Sequence, residues 1–233
     1  MSNFFIKPLL YKWIIILLLL SFGVPSFANI STVDQKIEKI NQLYQKEQKE
    51  KILQIVGKVD EAIDSVIKLP DLARKRYAVL IALAGKKYDI DPRIMIAILV
   101  VESSFRQSAK NVNTNKTTDY SIAQINYETW KKGFKKMSRA PLNKERLVSD
   151  EAYAIFRMAE ILRIYKDRFE SQDKIWFARY NSSTIKYKTI YKNKLVKEFK
   201  KLIEFGPNML VGLPSNPQVV ADLYLGPNQI KGF

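Results

Sequence analysis

The sequence predicts an all-α protein, on three observations. Apolar residues recur every three to four positions through most of the chain after residue 31, the period of one helix face. The run from Ile94 to Val101 is apolar on every side, as in a helix sunk in a core. No strand–helix alternation, internal repeat or glycine-rich phosphate loop breaks the pattern. The 233 residues suffice for one ordinary domain with extra segments, and a 47% hydrophobic content can build a core.

Taken in order, residues 1–28 read as a signal peptide. Lys7 and Lys12 make a basic start, with no acid before Asp34, and Trp13 to Phe22 is an apolar run broken only by Ser21. Gly23 and Pro25 end it, and Ser26-Phe27-Ala28 puts small residues where a signal peptidase reads. The run is shorter than the about 20 residues of a membrane span, so export with cleavage near Ala28 is expected rather than an uncleaved anchor. Residues 29–70 read as an amphipathic helical extension. Its stripe is Val33, Ile37, Ile40, Tyr44, then Ile52, Ile55, Val56, Val59, Ile63, Val66 and Ile67, with a polar middle at 45–51 and Pro70 as its end. It either packs on its own domain or forms an arm that meets a partner.

Residues 71–205 carry the dense helical pattern. Leu72 to Tyr88 is one helix; Asp91 is suited to cap the next, with Pro92 in its first turn. Residues 107–119 are rich in Asn and Thr and read as a loop, followed by a short helix over Ser121 to Trp130. A long helix is expected over 149–171, with Ser149 as N-cap and Glu151 just inside. Two further helices are expected near 173–180 and 187–204. Residues 206–233, with Pro207, Pro214, Pro217 and Pro227, read as an extended tail.

Composition narrows the chemistry. With no cysteine, a disulfide framework, a thiolate metal site and a cysteine nucleophile are excluded; with no histidine, the commonest neutral-pH base and zinc ligand are gone. Catalysis must rest on Asp, Glu, Lys, Tyr, Ser or Thr. The net charge of +16 favours a polyanionic partner: nucleic acid, anionic lipid or an anionic wall polymer. The lysine-rich stretch 186–201, interleaved with Tyr187, Tyr191 and Phe199, is compatible with nucleic acid, but a signal peptide argues against that partner.

Glu102 follows the all-apolar run directly. A carboxyl held against apolar surface loses hydration, its charged form is disfavoured and its pKa rises, which keeps a proton available for general acid catalysis. A helix C-terminus adds to this, since its negative end also disfavours an ionised acid. The plain alternative is a Glu102 that lies past the buried turn and faces water. Residues 111–126 return a polar strip holding Asp119, Tyr120, Gln124 and Asn126, groups that suit sugar hydroxyls and acetamido groups, though such a strip is more often a solvated turn.

Three motifs then stand in order: Val101-Glu102-Ser103-Ser104-Phe105, Thr118 to Asn126 (TDYSIAQIN), and Ala178-Arg179-Tyr180-Asn181. Together they resemble the signatures of the lytic transglycosylase (SLT) domain family, closest to its small members that accompany secretion systems and other wall-crossing machines. The likeness covers residues 73–204. The first two motifs, including the 17-residue gap from Glu102 to Asp119, also resemble c-type lysozyme. The resemblance implies a lysozyme-like helical domain that acts on peptidoglycan glycan strands at the β-1,4 bond between N-acetylmuramic acid and N-acetylglucosamine, as a monomer needing no cofactor. Glu102 would be the catalytic acid. Ser103 would help hold Glu102 or an acetamido group, Asp119, Tyr120, Gln124 and Asn126 would line the sugar cleft, Tyr180 would hydrogen-bond near the acid, and Asn181 would hold its loop. Tyr191 is left as either a cleft or a core residue.

The family pattern usually has Gly where Ser121 and Ser183 stand and a large apolar residue where Ala123 stands. These departures bear on the shape of the groove. Three outcomes stay open: a lyase forming a 1,6-anhydromuramic product, which the Tyr180-Asn181 motif favours because c-type lysozymes lack it; a lysozyme-type hydrolase using Glu102 and Asp119; or a non-catalytic wall-binding component. Contact with secretion machinery, where it occurs, would run through residues 29–70 or the tail.

Overall fold

The computed structural model describes residues 27–181 and 185–213, with side chains for 35–181 and 188–213. The signal-peptide reading of residues 1–26, Ser183, and the tail from residue 214 lie outside the described residues. The first helix, α1 (Phe27–Val66), crosses the division between two compact units, Met1–Gln48 and Lys49–Phe233. In the smaller unit its apolar positions are open to solvent: Ile40, Leu43 and Tyr44 are 64%, 59% and 57% exposed. In the larger unit the same helix buries Ile52, Ile55, Val56, Val59, Ala62 and Ile63. The boundary expected at Pro70 therefore falls inside the larger unit, because the stripe from Ile52 onward belongs to its core.

Helix α2 (Asp71–Tyr88) buries Tyr77 to Gly85. Its Arg74 reaches back to α1, donating to Asp60 at 2.8 Å and Asp64 at 3.1 Å. Helix α3 (Pro92–Ser103) starts where the pattern puts it: the Asp91 carboxylate accepts from the Arg93 amide at 2.9 Å, and Pro92 stands in the first turn. Residues Pro92 to Leu99 are all buried. A helix without a polar stripe can be covered all round, and α3 packs on α2 and on α7 (Ile185–Lys201). Even its Arg93 is buried, folded onto Asp91 and stacked 5.2 Å from the Phe199 ring of α7.

The expected loop and short helix give way to a three-stranded antiparallel sheet: β1 (Lys110–Val112), β2 (Thr118–Tyr120) and β3 (Ile125–Asn126). Polar residues here make turns that pair strands. Asn113 and Lys116 close the hairpin with backbone bonds, and Asn115 accepts from the Thr117 amide at 3.1 Å. Ser121 and Gln124, at φ 75 and 45, turn the chain where a helix was expected. Helix α4 (Tyr127–Lys136) begins only after Asn126, which caps it by accepting from the Thr129 amide at 3.0 Å.

The long helix expected over 149–171 is present over 151–169, preceded by a short helix that the pattern did not suggest. Helix α5 (Lys144–Ser149) ends before Asp150, and α6 (Glu151–Phe169) starts from Asp150, whose carboxylate accepts from the Tyr153 amide at 2.9 Å. Ser149 is not the cap; its hydroxyl donates back to the Glu145 carbonyl at 2.8 Å. The helix expected near 173–180 tightens to a 3-10 turn, Trp176–Tyr180, and a second such turn, Ile203–Phe205, follows α7. Among the described residues no helix is long and apolar enough to cross a membrane. The reassigned cap has a measurable consequence: in urea unfolding, Asp150→Ala should cost about 1 kcal/mol or more, and Ser149→Ala less than about 0.5 kcal/mol.

Candidate active site

Glu102 is the second-last residue of α3, one turn past the fully buried stretch. The residue is half-buried, yet its Oε1 is sealed from solvent with no hydrogen-bond partner. A buried carboxyl oxygen left unpaired is rare in a stable fold and marks a group kept for chemistry. Burial pushes the Glu102 pKa up to about 7, nearby Asp119 pushes in the same direction, and Tyr191, Asn181 and Lys194 oppose it. Loss of hydration thus outweighs three favourable neighbours, and the carboxyl holds its proton through much of the neutral range.

The surroundings come from three elements. Strand β2 places Asp119 toward Glu102, its carboxylate fixed by the Asn126 amide at 2.7 Å. The 3-10 turn buries Tyr180, whose hydroxyl donates to the Ala123 carbonyl at 2.7 Å and so clamps the loop that carries Gln124. Asn181 ends that turn, exposed and close enough to Glu102 to lower its pKa. Helix α7 brings Tyr191, whose buried hydroxyl faces the Glu102 carboxyl. Neither Oη of Tyr191 nor Oε1 of Glu102 completes a hydrogen bond of normal geometry, although the two buried groups face each other. Burial and the Glu102 carboxyl hold the Tyr191 hydroxyl well above the usual phenol range, so it stays a donor.

Glu102, Asp119, Tyr180 and Asn181 are therefore gathered in one place, with Gln124 half-buried on the adjoining loop and its amide donating to the Ser121 carbonyl at 2.9 Å. Others of the expected sugar contacts are placed differently. The Ser103 hydroxyl is buried, donates to the Ile122 carbonyl at 2.6 Å and accepts from the Arg106 amide at 3.2 Å. It ties α3 to the loop and has no free face toward a sugar. Asn126 divides its amide between Thr117 and Asp119 and caps α4, so it too is a brace. Strand alternation puts Tyr120 on the opposite face of β2 from Asp119, with the Lys144 ammonium 5.1 Å above its ring. Tyr191, left undecided by the sequence, is the residue the site adds. Its position on the buried stripe with Leu195 and Leu202 is the only signal the pattern carries, and that signal reads as core.

Ser121 explains one departure from the family pattern. Its φ of 75 lies where glycine is at ease and a side chain is strained by about 1–2 kcal/mol. The chain keeps the turn anyway, held by a Ser121 amide bond to the Ala109 carbonyl at 2.9 Å.

Compared with known proteins, the family model for the transglycosylase SLT domain matches residues 79–203, more than half of the chain. The chain is 35% identical to Lysozyme C of Penaeus merguiensis over 95 residues, covering 40% of this chain and 60% of that protein. It is 35% identical to Protein IpgF of Shigella flexneri over 79 residues, 34% of this chain and 49% of that protein. The matches thus span less than two thirds of these relatives' length. No solved structure matches.

The raised pKa of Glu102 has a stability consequence. A carboxyl whose folded pKa lies above its unfolded value adds most to stability below about pH 4.5, and that contribution is lost as pH rises toward about 7. Glu102→Gln removes the ionisation. Between pH 4.5 and pH 8 the wild type should lose up to about 3 kcal/mol more than the variant in paired chemical denaturation series. Parallel pH profiles for the two proteins would mean that the carboxyl is not held neutral.

Proposed function

This chain belongs to the transglycosylase SLT domain family, whose members act on peptidoglycan, and we propose that it is a lytic transglycosylase with Glu102 as its single acid and base. The observation that carries this reading is the half-buried Glu102 carboxyl, one oxygen shut from water and its pKa pushed up to about 7, beside Asp119. Protonated Glu102 gives its proton to the oxygen bridging N-acetylmuramic acid and N-acetylglucosamine. The bond from that oxygen to the anomeric carbon breaks, and positive charge develops on the muramic ring. The 6-hydroxyl of the same ring then attacks the anomeric carbon and returns its proton to Glu102. The product is a 1,6-anhydro end, and the acid is restored without water.

The neighbours suit these steps. Asp119, held on Asn126, puts negative charge near the developing cation. Tyr191 is a donor with no partner of its own, placed to hold the Glu102 carboxylate after it has lost its proton. Tyr180 acts at one remove, by clamping the loop at Ala123. Gln124 and Asn181 are proposed as sugar contacts. A second reading follows from the same Asp119: a retaining hydrolase in which that carboxylate stabilises or captures the anomeric carbon and water completes the reaction. The Ala178-Arg179-Tyr180-Asn181 motif supports the lyase, since it resembles the transglycosylase signature that c-type lysozymes lack.

We further propose export by way of residues 1–28 and action in the cell envelope. Association with an envelope-spanning secretion machine would run through residues 29–70 or the tail, as the resemblance to the small members that accompany such machines implies.

Mass spectrometry of purified wall after digestion separates the chemistries. Anhydro ends are expected; reducing ends would establish the hydrolase and intact wall a binding role. Glu102→Gln should lower turnover by about 100-fold or more. Activity of the wild type should fall as pH rises through about 7, where Glu102 loses its proton. Tyr191→Phe should keep the fold and lose about tenfold in kcat, with little change in KM.

A further inference from the structure

The face of the sheet turned away from Asp119 carries a second cluster of groups that the cleavage chemistry does not use. Three lysines there surround two tyrosine rings. The Lys144 ammonium lies 5.1 Å from the centre of the Tyr120 ring and 6.0 Å from that of Tyr127. Lys110 stands 5.9 Å from Tyr120, and Lys131 stands 5.5 Å from Tyr127. All three lysines are exposed, whereas Tyr120 is buried and Tyr127 half-buried. The rings are thus fixed platforms and the ammoniums are the part offered to solvent.

Charge here is poorly balanced. Among the described residues none of the three lysines makes an ion pair. The carboxylate that acts on Lys144 is that of Glu128, and its Oε2 accepts from the Thr118 amide at 2.9 Å. Three like charges held this close repel one another, and an anionic partner would relieve that. Tyr120 and Lys144 are coupled: the ammonium lowers the pKa of the phenol, and the phenol raises that of the ammonium.

We propose that Lys110, Lys131 and Lys144, held over Tyr120 and Tyr127, form a binding site for the carboxylates of the peptide stems that peptidoglycan glycan strands carry. The site rests on the peptidoglycan reading above and extends it. Its place fits that ligand. Asp119 and Tyr120 are neighbours on β2, so the cleft and the basic cluster lie back to back on a small sheet whose outer strand, β1, has three residues. A stem of four or five residues reaches about 13–18 Å when extended, enough to leave a strand lying in the cleft and round that edge. Separate ammoniums over rigid rings suit discrete carboxylates on a short peptide. A bilayer surface would call for apolar side chains that insert, and the two rings here are packed inward.

Pelleting with purified wall on ice, at low salt, tests the proposal without requiring cleavage. Lys110→Gln/Lys131→Gln/Lys144→Gln should bind intact wall at least about tenfold more weakly than the wild type, and Lys144→Gln alone should show part of that loss. A control of equal charge change, Lys174→Gln/Lys197→Gln/Lys200→Gln, should lose less than about twofold. On wall whose stems have been removed by an amidase, the wild type and the patch variant should bind alike. The proposal is overturned if the patch variant binds intact wall like the wild type, if the control loses as much, or if the difference persists on stem-free glycan. It is also overturned if the patch variant loses binding only to phosphatidylglycerol vesicles, which would assign the site to a membrane surface. Intact binding with no cleavage by the wild type would sink the lyase reading and leave this one standing.

Discussion

The structure turns on one desolvated carboxyl. Glu102 sits where α3, buried from Pro92 to Leu99, runs out of core, and its Oε1 is shut from water without a hydrogen bond in return. Hydration is what most strongly favours an ionised carboxylate, so its loss decides the protonation state against the pull of Tyr191, Asn181 and Lys194. Covering α3 on every side therefore builds the core and also sets the chemistry of its last turn.

A group held in an unfavourable state needs rigid neighbours, and several polar residues near Glu102 serve that end. Ser103 ties the helix end to the Ile122 carbonyl, Asn126 steadies Asp119 and starts α4, and Tyr180 fastens Ala123. Backbone strain is concentrated in the same region: Ser104, Phe105, Ser121 and Gln124 all adopt positive φ. For a buried aromatic such as Phe105 this is an outlying conformation, kept by its packing on Tyr77 at 5.2 Å between ring centres. Strain next to a functional group persists only where surrounding contacts overdetermine it, and here they do.

The two faces of the small sheet divide the work between charge types. The face with Asp119 brings its carboxyl near that of Glu102, while the reverse face gathers ammoniums over rings. Alternation along a single short strand is enough to separate them, because successive side chains of a strand point to opposite sides.

Much of this was legible in the sequence. The apolar run ending in an acid foretold both a buried helix and a raised pKa, and Asp91-Pro92 marked the helix start, because capping and burial follow local rules. The three motifs identified the family and brought Asp119 and Tyr180 to the acid. Residues 107–126 fold otherwise than their pattern suggests, because an Asn- and Thr-rich stretch looks the same whether its side chains face water or close a hairpin. The start of α6 from Asp150 rather than Ser149 is hidden in the sequence because two capping residues stand side by side. Which of the motif residues keep a free side chain near the acid was also beyond the sequence: Ser103 and Asn126 became braces, Tyr120 turned to the far face, and Tyr191 entered from a helix some ninety residues away. Periodicity and capping are properties of neighbours in the chain. The direction of a side chain and the partner of its hydroxyl depend on contacts made across the fold, and only the tertiary structure supplies those.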